Sequence, residues 1–376
     1  MKIGIITTHK VLNFGSALQA YALQQKLISL GYDNELIDYV YPKPIKKQFT
    51  FKGVINSVIV FLRNMLIGFP KKRKKKKFSV FYDQNFKLSQ GIYDESNISS
   101  LLSYDGYITG SDQVWNPRFA GQDTNFMLAF APDDKPKISY ASSFATTEVE
   151  GELKNLYAKF LNRYDAISVR ENTGVKIVKE LTGKEATVCC DPTLLLNSSE
   201  WDELATQSKM DIKYKYVLVY PLTYMHNPYP KIYDLVEKVQ KELGCKAIYL
   251  SGRKEDAFRC NSILIKSAGP EDFVYLIKNA EFIITTSFHG AAFSMIYNKP
   301  MFGIVDKTNS KDSRIQSLLK EFDADKSVVD LNEILTYDKE QLMKMHGNQQ
   351  EGKSFLSKSV DYLDSTMKNN FIKSKC

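Results

Sequence analysis

Phe282-Ile283-Ile284-Thr285-Thr286-Ser287-Phe288-His289-Gly290-Ala291-Ala292 reads as a buried strand that ends in three hydroxyl residues and re-emerges as a helix. The run over 282–286 is apolar and β-branched without alternation, the pattern of a strand covered on both faces. Gly290, Ala291 and Ala292 are small enough for the helix to lie close against the sheet. Such strand-to-helix turns belong to parallel α/β folds, where ligands gather outside the carboxyl ends of the strands. His289 stands at that place. Histidine moves protons near neutral pH, and a helix N-terminus favours its neutral, proton-accepting form. The expectation is a catalytic histidine in a cleft.

The same alternation continues on both sides of this turn. The second half predicts strands over 214–220, 246–250, 262–265 and 301–305, with helices over 229–243 and 270–279. The first half predicts strands over 2–8, 35–40, 104–109, 138–142, 166–169 and 187–190. A helical apolar pattern over 18–30, stopped by Gly31, gives a βαβ opening. Between 197 and 213 the pattern weakens into polar residues. The fold class expected is therefore α/β, with two Rossmann-like lobes facing a cleft. The first lobe is expected to span 1–205, to form the acceptor side and to hold a basic insertion near 50–90; the second spans 206–376. The charged helical stretch over 339–373 could pack back on the first lobe.

The bulk properties agree with two cores. The chain has 376 residues, of which 43% are apolar and 12% aromatic. Its formal charge of +8 comes almost wholly from Lys71-Lys72-Arg73-Lys74-Lys75-Lys76-Lys77. So concentrated an excess is a local device and does not imply a nucleic-acid partner. The run follows an apolar stretch over 54–69 that is too short and too interrupted to span a bilayer. Together the two would suit peripheral contact with an anionic membrane, or else a packed helix followed by a solvated loop. Cys189, Cys190, Cys245, Cys260 and Cys376 lack metal-ligand spacing and read as reduced thiols. With no signal-peptide pattern at the start, a cytoplasmic location is expected.

Four further strand ends carry candidate residues. Asn13-Phe14-Gly15-Ser16 precedes a helix, where Gly15 permits close approach and Ser16 can cap free N–H groups that attract an anion. Neither a dinucleotide fingerprint nor a P-loop lysine is present, so no cofactor is expected. Gly110-Ser111-Asp112-Gln113-Val114-Trp115 offers polar groups for hydroxyls and an indole face on which a sugar could stack. Arg170 ends another strand and can grip a carboxylate or phosphate, with Glu171 as a surface partner. Asn309 and Arg314 lie in a polar, cationic segment after the strand at 301–305. No metal site, serine-hydrolase elbow or zinc-protease motif is found.

Taken in order, Asn13-Phe14-Gly15-Ser16-Ala17-Leu18-Gln19-Ala20, Gly110-Ser111-Asp112-Gln113-Val114-Trp115-Asn116-Pro117, Ser168-Val169-Arg170-Glu171, Cys190-Asp191-Pro192-Thr193-Leu194-Leu195 and Thr286-Ser287-Phe288-His289-Gly290 closely resemble the polysaccharide pyruvyl transferase family. The resemblance implies a fold similar to the glycosyltransferase B architecture. It implies transfer of pyruvate from phosphoenolpyruvate to two hydroxyls of a nucleotide-linked or lipid-linked sugar, as a ketal, in surface-polysaccharide synthesis. His289 and Asp112 then become the catalytic candidates, with Glu171 a possible second group. Asn13, Gly15, Ser16, Ser111, Gln113, Trp115, Arg170, Ser287, Asn309 and Arg314 become the substrate-binding candidates. Many members carry Arg-Leu-His where this chain has Ser287-Phe288-His289. Arg314 or Lys307 would supply the missing charge, or the donor sits differently. A nucleotide-sugar glycosyltransferase and an inactive sugar-binding protein of a capsule-assembly complex are the alternative readings.

Overall fold

The computed structural model describes all residues except 42–68, 101–103, 224–225, 260, 307–313, 334–335 and 373–376. Asn309 and Lys307, Cys260, Cys376 and nearly all of the apolar stretch before the basic run therefore lie outside the described residues. Two parallel sheets organise the chain. In the first, β1 (Lys2–Ile6), β2 (Asp33–Tyr39), β3 (Leu88–Tyr93), β4 (Gly106–Thr109) and β5 (Lys137–Ser139) lie in the order β3-β2-β1-β4-β5. A short pair, β6 (Ser168–Val169) and β7 (Thr187–Val188), joins its edge through bridges from Ile138 to Ala166 and from Ser142 to Val169.

The second sheet holds β8 (Tyr216–Tyr220), β9 (Lys246–Leu250), β10 (Ser262–Ile265), β11 (Phe282–Thr285), β12 (Met301–Val305) and β13 (Val328–Asp330) in the order β10-β9-β8-β11-β12-β13. Both orders reverse beside their first strand, leaving a crevice between β1 and β4 and another between β8 and β11. In β11 every residue is buried, and Ile283 faces Leu218 of β8 and Met301 of β12 in register. That accounts for its unbroken apolar sequence.

The basic run lies within the helix Phe69–Asn85, not in a loop. Lysine is a good helix former, and one face of this helix (Lys74, Phe78, Phe81, Tyr82) is turned inward. The Lys74 ammonium lies 4.5 Å from the centre of the Phe14 ring. Lys77 pairs with the buried Asp272 of the second lobe. Phe14 stacks on Phe273 of that lobe, with centroids 5.0 Å apart and planes inclined by 12°. An aromatic seam thus runs between the lobes. The C-terminal helix Gln349–Met367 also reaches the first lobe, where Ser359 Oγ accepts from the Cys190 amide at 2.9 Å. Cys189, Cys190 and Cys245 are free and buried. Among the described residues no helix is long and apolar enough to cross a membrane.

Candidate active site

The two crevices face each other and form one cleft of about 250 Å³. Asn13, Ser16, Asp112 and Gln113 line it from the first lobe; Ser287, His289 and Arg314 line it from the second. Residues far apart in sequence meet here because each follows the carboxyl end of a strand at or next to its sheet's switch point.

The turn after β11 is fixed by its own hydroxyls. Thr285 Oγ1 donates to the Tyr220 carbonyl at 2.9 Å, and Thr286 Oγ1 donates to the Leu222 carbonyl at 2.8 Å. Ser287 caps the helix Phe288–Ile296 by accepting from the Gly290 amide at 3.3 Å. A Cβ on Gly290 would lie 2.4 Å from Thr285 Oγ1, so only glycine allows the helix this close. His289 then projects across the lobe boundary onto the start of the helix Phe14–Ser29. A Cβ on Gly15 would stand 1.9 Å from His289 Nδ1. Gly15 is thus the seat of the histidine ring.

The expected cap at Ser16 is corrected by the structure. Asn13 caps the first helix, its Oδ1 accepting from the amides of Gly15 at 2.9 Å and Ser16 at 3.3 Å. Those two amides are consequently occupied, while the Ser16 hydroxyl donates to Asp112 Oδ2. Thr8 Oγ1 donates to the same oxygen at 3.0 Å. Asp112 has φ of 71°, a left-handed conformation rarely held by aspartate without support from its surroundings. Burial acts to raise its pKa, but Arg170, His289 and the Ser16 hydroxyl outweigh it and hold the carboxyl below its usual range.

Asp191 is the residue that strand-end reasoning missed as part of the site. It follows β7 and is fully buried. Its Oδ2 accepts from Arg170 Nη1 at 2.8 Å and Ser111 Oγ at 3.1 Å, and lies 3.5 Å from His289 Nε2. Its Oδ1 accepts from the amide of Thr193 at 3.0 Å and the Thr193 hydroxyl at 2.8 Å. Burial opposes its charge, yet His289 and Arg170 together hold its carboxyl well below the usual range. A strand ending in Cys190-Asp191 was the available signal, a carboxylate at a carboxyl end.

Arg170 is buried, and its guanidinium lies 4.5 Å from the centre of the Phe288 ring. Its partner is Asp191, not Glu171 as expected. Glu171 Oε1 accepts from the amides of Phe144 at 2.8 Å and Ala145 at 3.1 Å, while its buried Oε2 has no hydrogen-bond partner. Arg170 Nε and Nη2 and His289 Nε2 have no hydrogen-bond partner although they are buried. Unmet buried donors are uncommon and favour an acceptor that arrives with a ligand. Arg170, Phe288 and Arg314 border a small adjoining cavity.

Two other expectations are revised. Trp115 is fully buried among Phe144 and Tyr164, with Nε1 donating to the Phe126 carbonyl at 3.0 Å, so it offers no face to a sugar. Ser111 is also fully buried, and acts beneath the cleft on Asp191 and on the Ala141 carbonyl. Gln113 lines the cleft, with its Oε1 accepting from Asn116 Nδ2 at 2.7 Å.

Fold and site together define a two-lobed α/β protein of the glycosyltransferase B architecture. Among solved structures, a protein from Listeria monocytogenes assigned as a UDP-N-acetylglucosamine 2-epimerase aligns over 96% of this chain and 90% of its own, with TM-score 0.51 and 12% identity. UDP-GlcNAc 2-epimerase from Methanocaldococcus jannaschii aligns over 96% of this chain and 100% of its own, with TM-score 0.50 and 11% identity. At such identity the likeness concerns the fold alone. No curated protein matches the sequence. The family model for polysaccharide pyruvyl transferases matches residues 13–307, and the chain belongs to that family. Membership makes it a transferase.

Proposed function

We propose that the protein transfers pyruvate from phosphoenolpyruvate to two hydroxyls of one sugar, forming a cyclic ketal and releasing phosphate. The observation that carries this is the placement of His289 and Asp112 together in a cleft shared by both lobes, with the unmet Arg170 Nε and Nη2 at the small cavity that adjoins it. Phosphoenolpyruvate presents a carboxylate and a phosphate. Arg170 and Arg314, which border one cavity with Phe288, supply the cations that Ser287 does not.

In the reaction, His289 acts as an acid in place of the accepting role read from the sequence: carrying a proton taken up beforehand, it gives it to the methylene carbon as a sugar hydroxyl oxygen bonds to the adjacent carbon. Positive charge develops at that carbon, and the ionised Asp112 stabilises it. Its depressed pKa makes Asp112 a weak base, so it takes the hydroxyl proton only once the oxygen has bonded. The carbon–oxygen bond to phosphate then breaks, and the second hydroxyl oxygen takes its place. Of the two hydroxyl protons, one balances the new methyl group and the other leaves with phosphate. Asp191 touches neither substrate; it orients His289 and Arg170.

The acceptor we propose is a nucleotide-linked or lipid-linked sugar of surface-polysaccharide synthesis. Lys71, Lys72, Arg73, Lys75 and Lys76 are exposed on the helix Phe69–Asn85 and would meet an anionic membrane surface carrying such a lipid. The test is incubation with phosphoenolpyruvate and a panel of sugars, following phosphate release and the mass of the sugar. Phosphate release coupled to a pyruvyl mass gain is expected. Activity only with a nucleotide sugar, releasing the nucleotide diphosphate, would overturn the proposal in favour of glycosyl transfer.

A further inference from the structure

The cleft is lined by groups of unlike chemistry: Asp112, His289 and Arg314 are charged or polar, whereas Val11, Tyr41 and Phe119 are apolar or aromatic. Phe119 is 54% exposed, whereas Trp115, four residues earlier, is fully buried. A single exposed phenylalanine on an open surface needs no explanation. One on the wall of the cleft that holds the reacting groups is a different matter, because there it meets whatever binds. Nor is it a loose tip: the Phe119 amide donates to the Asn116 carbonyl at 3.0 Å, and its carbonyl accepts from the Gln122 amide at 3.3 Å. Tyr41 is held from behind by Phe126, edge to face, with centroids 5.2 Å apart.

Resting on the sugar-acceptor reading above, we infer that Phe119, which lines the same cleft as Tyr41, is the platform on which the acceptor's pyranose ring stacks. A pyranose has an apolar C–H face and a rim of hydroxyls. Its face on the Phe119 ring removes apolar surface from water at little entropic cost, since a ring side chain has few rotatable bonds. Its rim then turns toward Asp112, Gln113 and His289, where the two reacting hydroxyls are needed. The sequence suggested Trp115 for this task; the fold buries that indole and presents the nearby phenylalanine instead.

The experiment compares wild type with Phe119→Ala and Phe119→Tyr, titrating acceptor and phosphoenolpyruvate separately. Phe119→Ala is expected to raise the acceptor KM by roughly three- to tenfold, the range for losing one aromatic contact. The phosphoenolpyruvate KM should hold, and Phe119→Tyr should restore the acceptor KM. An unchanged acceptor KM, or an equal rise in both KM values, overturns the platform. Should wild type transfer pyruvate to no sugar, the proposed reaction falls, and saturation-transfer NMR with methyl pyranosides decides the platform alone. Signals lost in Phe119→Ala support it, and signals unchanged overturn it.

Discussion

In the first lobe the charged groups at the strand ends are wired to one another, whereas the second sheet delivers a histidine whose seat belongs to the other lobe. Arg170 Nη1 lies 2.8 Å from Asp191 Oδ2, and Ser111 and Thr193 hold the same carboxylate, all within the first lobe. His289 Nε2 stands 3.5 Å from that oxygen and its ring rests on Gly15. The first lobe thus holds an electrostatic frame whose hydrogen bonds are made within that lobe. The second contributes a proton carrier that is in position only while the lobes are together. The aromatic seam of Phe14 and Phe273 is therefore part of the catalytic arrangement, although it touches no reacting atom.

The largest effect should come from the proton carrier itself. His289→Gln keeps a polar side chain and removes the titrating group; pyruvyl turnover is expected to fall by roughly 10²–10⁴-fold. The thermal unfolding temperature should fall by less than in Asp191→Asn, because His289 is one of the two groups that hold the buried Asp191 ionised. Turnover near wild type would end the division of labour between the lobes.

Asp191→Asn should act on the frame instead. It leaves the buried Arg170 without its counter-charge, at a cost of about 3 kcal/mol in denaturant unfolding at neutral pH. The sign with pH follows from the depressed pKa of Asp191. Its stabilisation is complete above the unfolded carboxylate's pKa of about 4 and is lost as pH falls toward the folded value. The gap between wild type and Asp191→Asn should accordingly narrow in acid. A gap that stays constant would show that the charge of Asp191 is not what stabilises the fold. The pH profile of kcat should also move, which a purely structural loss would not produce.

Gly15→Ala tests the seat. The new methyl would overlap the His289 ring, and either the ring or the helix start must move. A displacement of about 1 Å at a catalytic group can cost roughly a hundredfold in turnover. The fold of the first lobe should survive, since alanine suits a helix. Wild-type turnover would mean that His289 does not work from this seat.

The sheets were legible because local pattern determines them. Short β-branched runs bounded by turn residues placed β9, β10 and β12 at their observed ends. The strand-end rule also brought Asp112, Gln113, Ser287, His289 and Arg314 to one cleft. What stayed hidden depends on contacts between distant residues. Asp191 matters through Ser111, 80 positions away, and Arg170, 21 away, and no local spacing encodes those meetings. The fate of Trp115 was settled by tertiary packing, which overrides the polar company it keeps in sequence. In the basic run seven adjacent cations masked the spacing of Lys74, Phe78, Phe81 and Tyr82, so an amphipathic helix read as a charge cluster.

That helix supports the smallest prediction and sharpens the comparison at the lobe boundary. Lys77 bonds to Asp272 across the seam, but its own side chain is 38% exposed, so solvent screens the pair. Lys77→Gln should cost up to about 1 kcal/mol in unfolding and leave binding to anionic vesicles unaltered. Lys75 is exposed on the opposite side of the helix. Lys75→Gln should leave unfolding unchanged and weaken vesicle binding by about fivefold, the equivalent of about 1 kcal/mol for one cation near an anionic surface. Equal behaviour of the two variants in both measurements would mean that the inward and outward faces of the helix do not divide structure from surface. Loss of vesicle binding in neither would assign the whole run to solubility and to holding the lobes together.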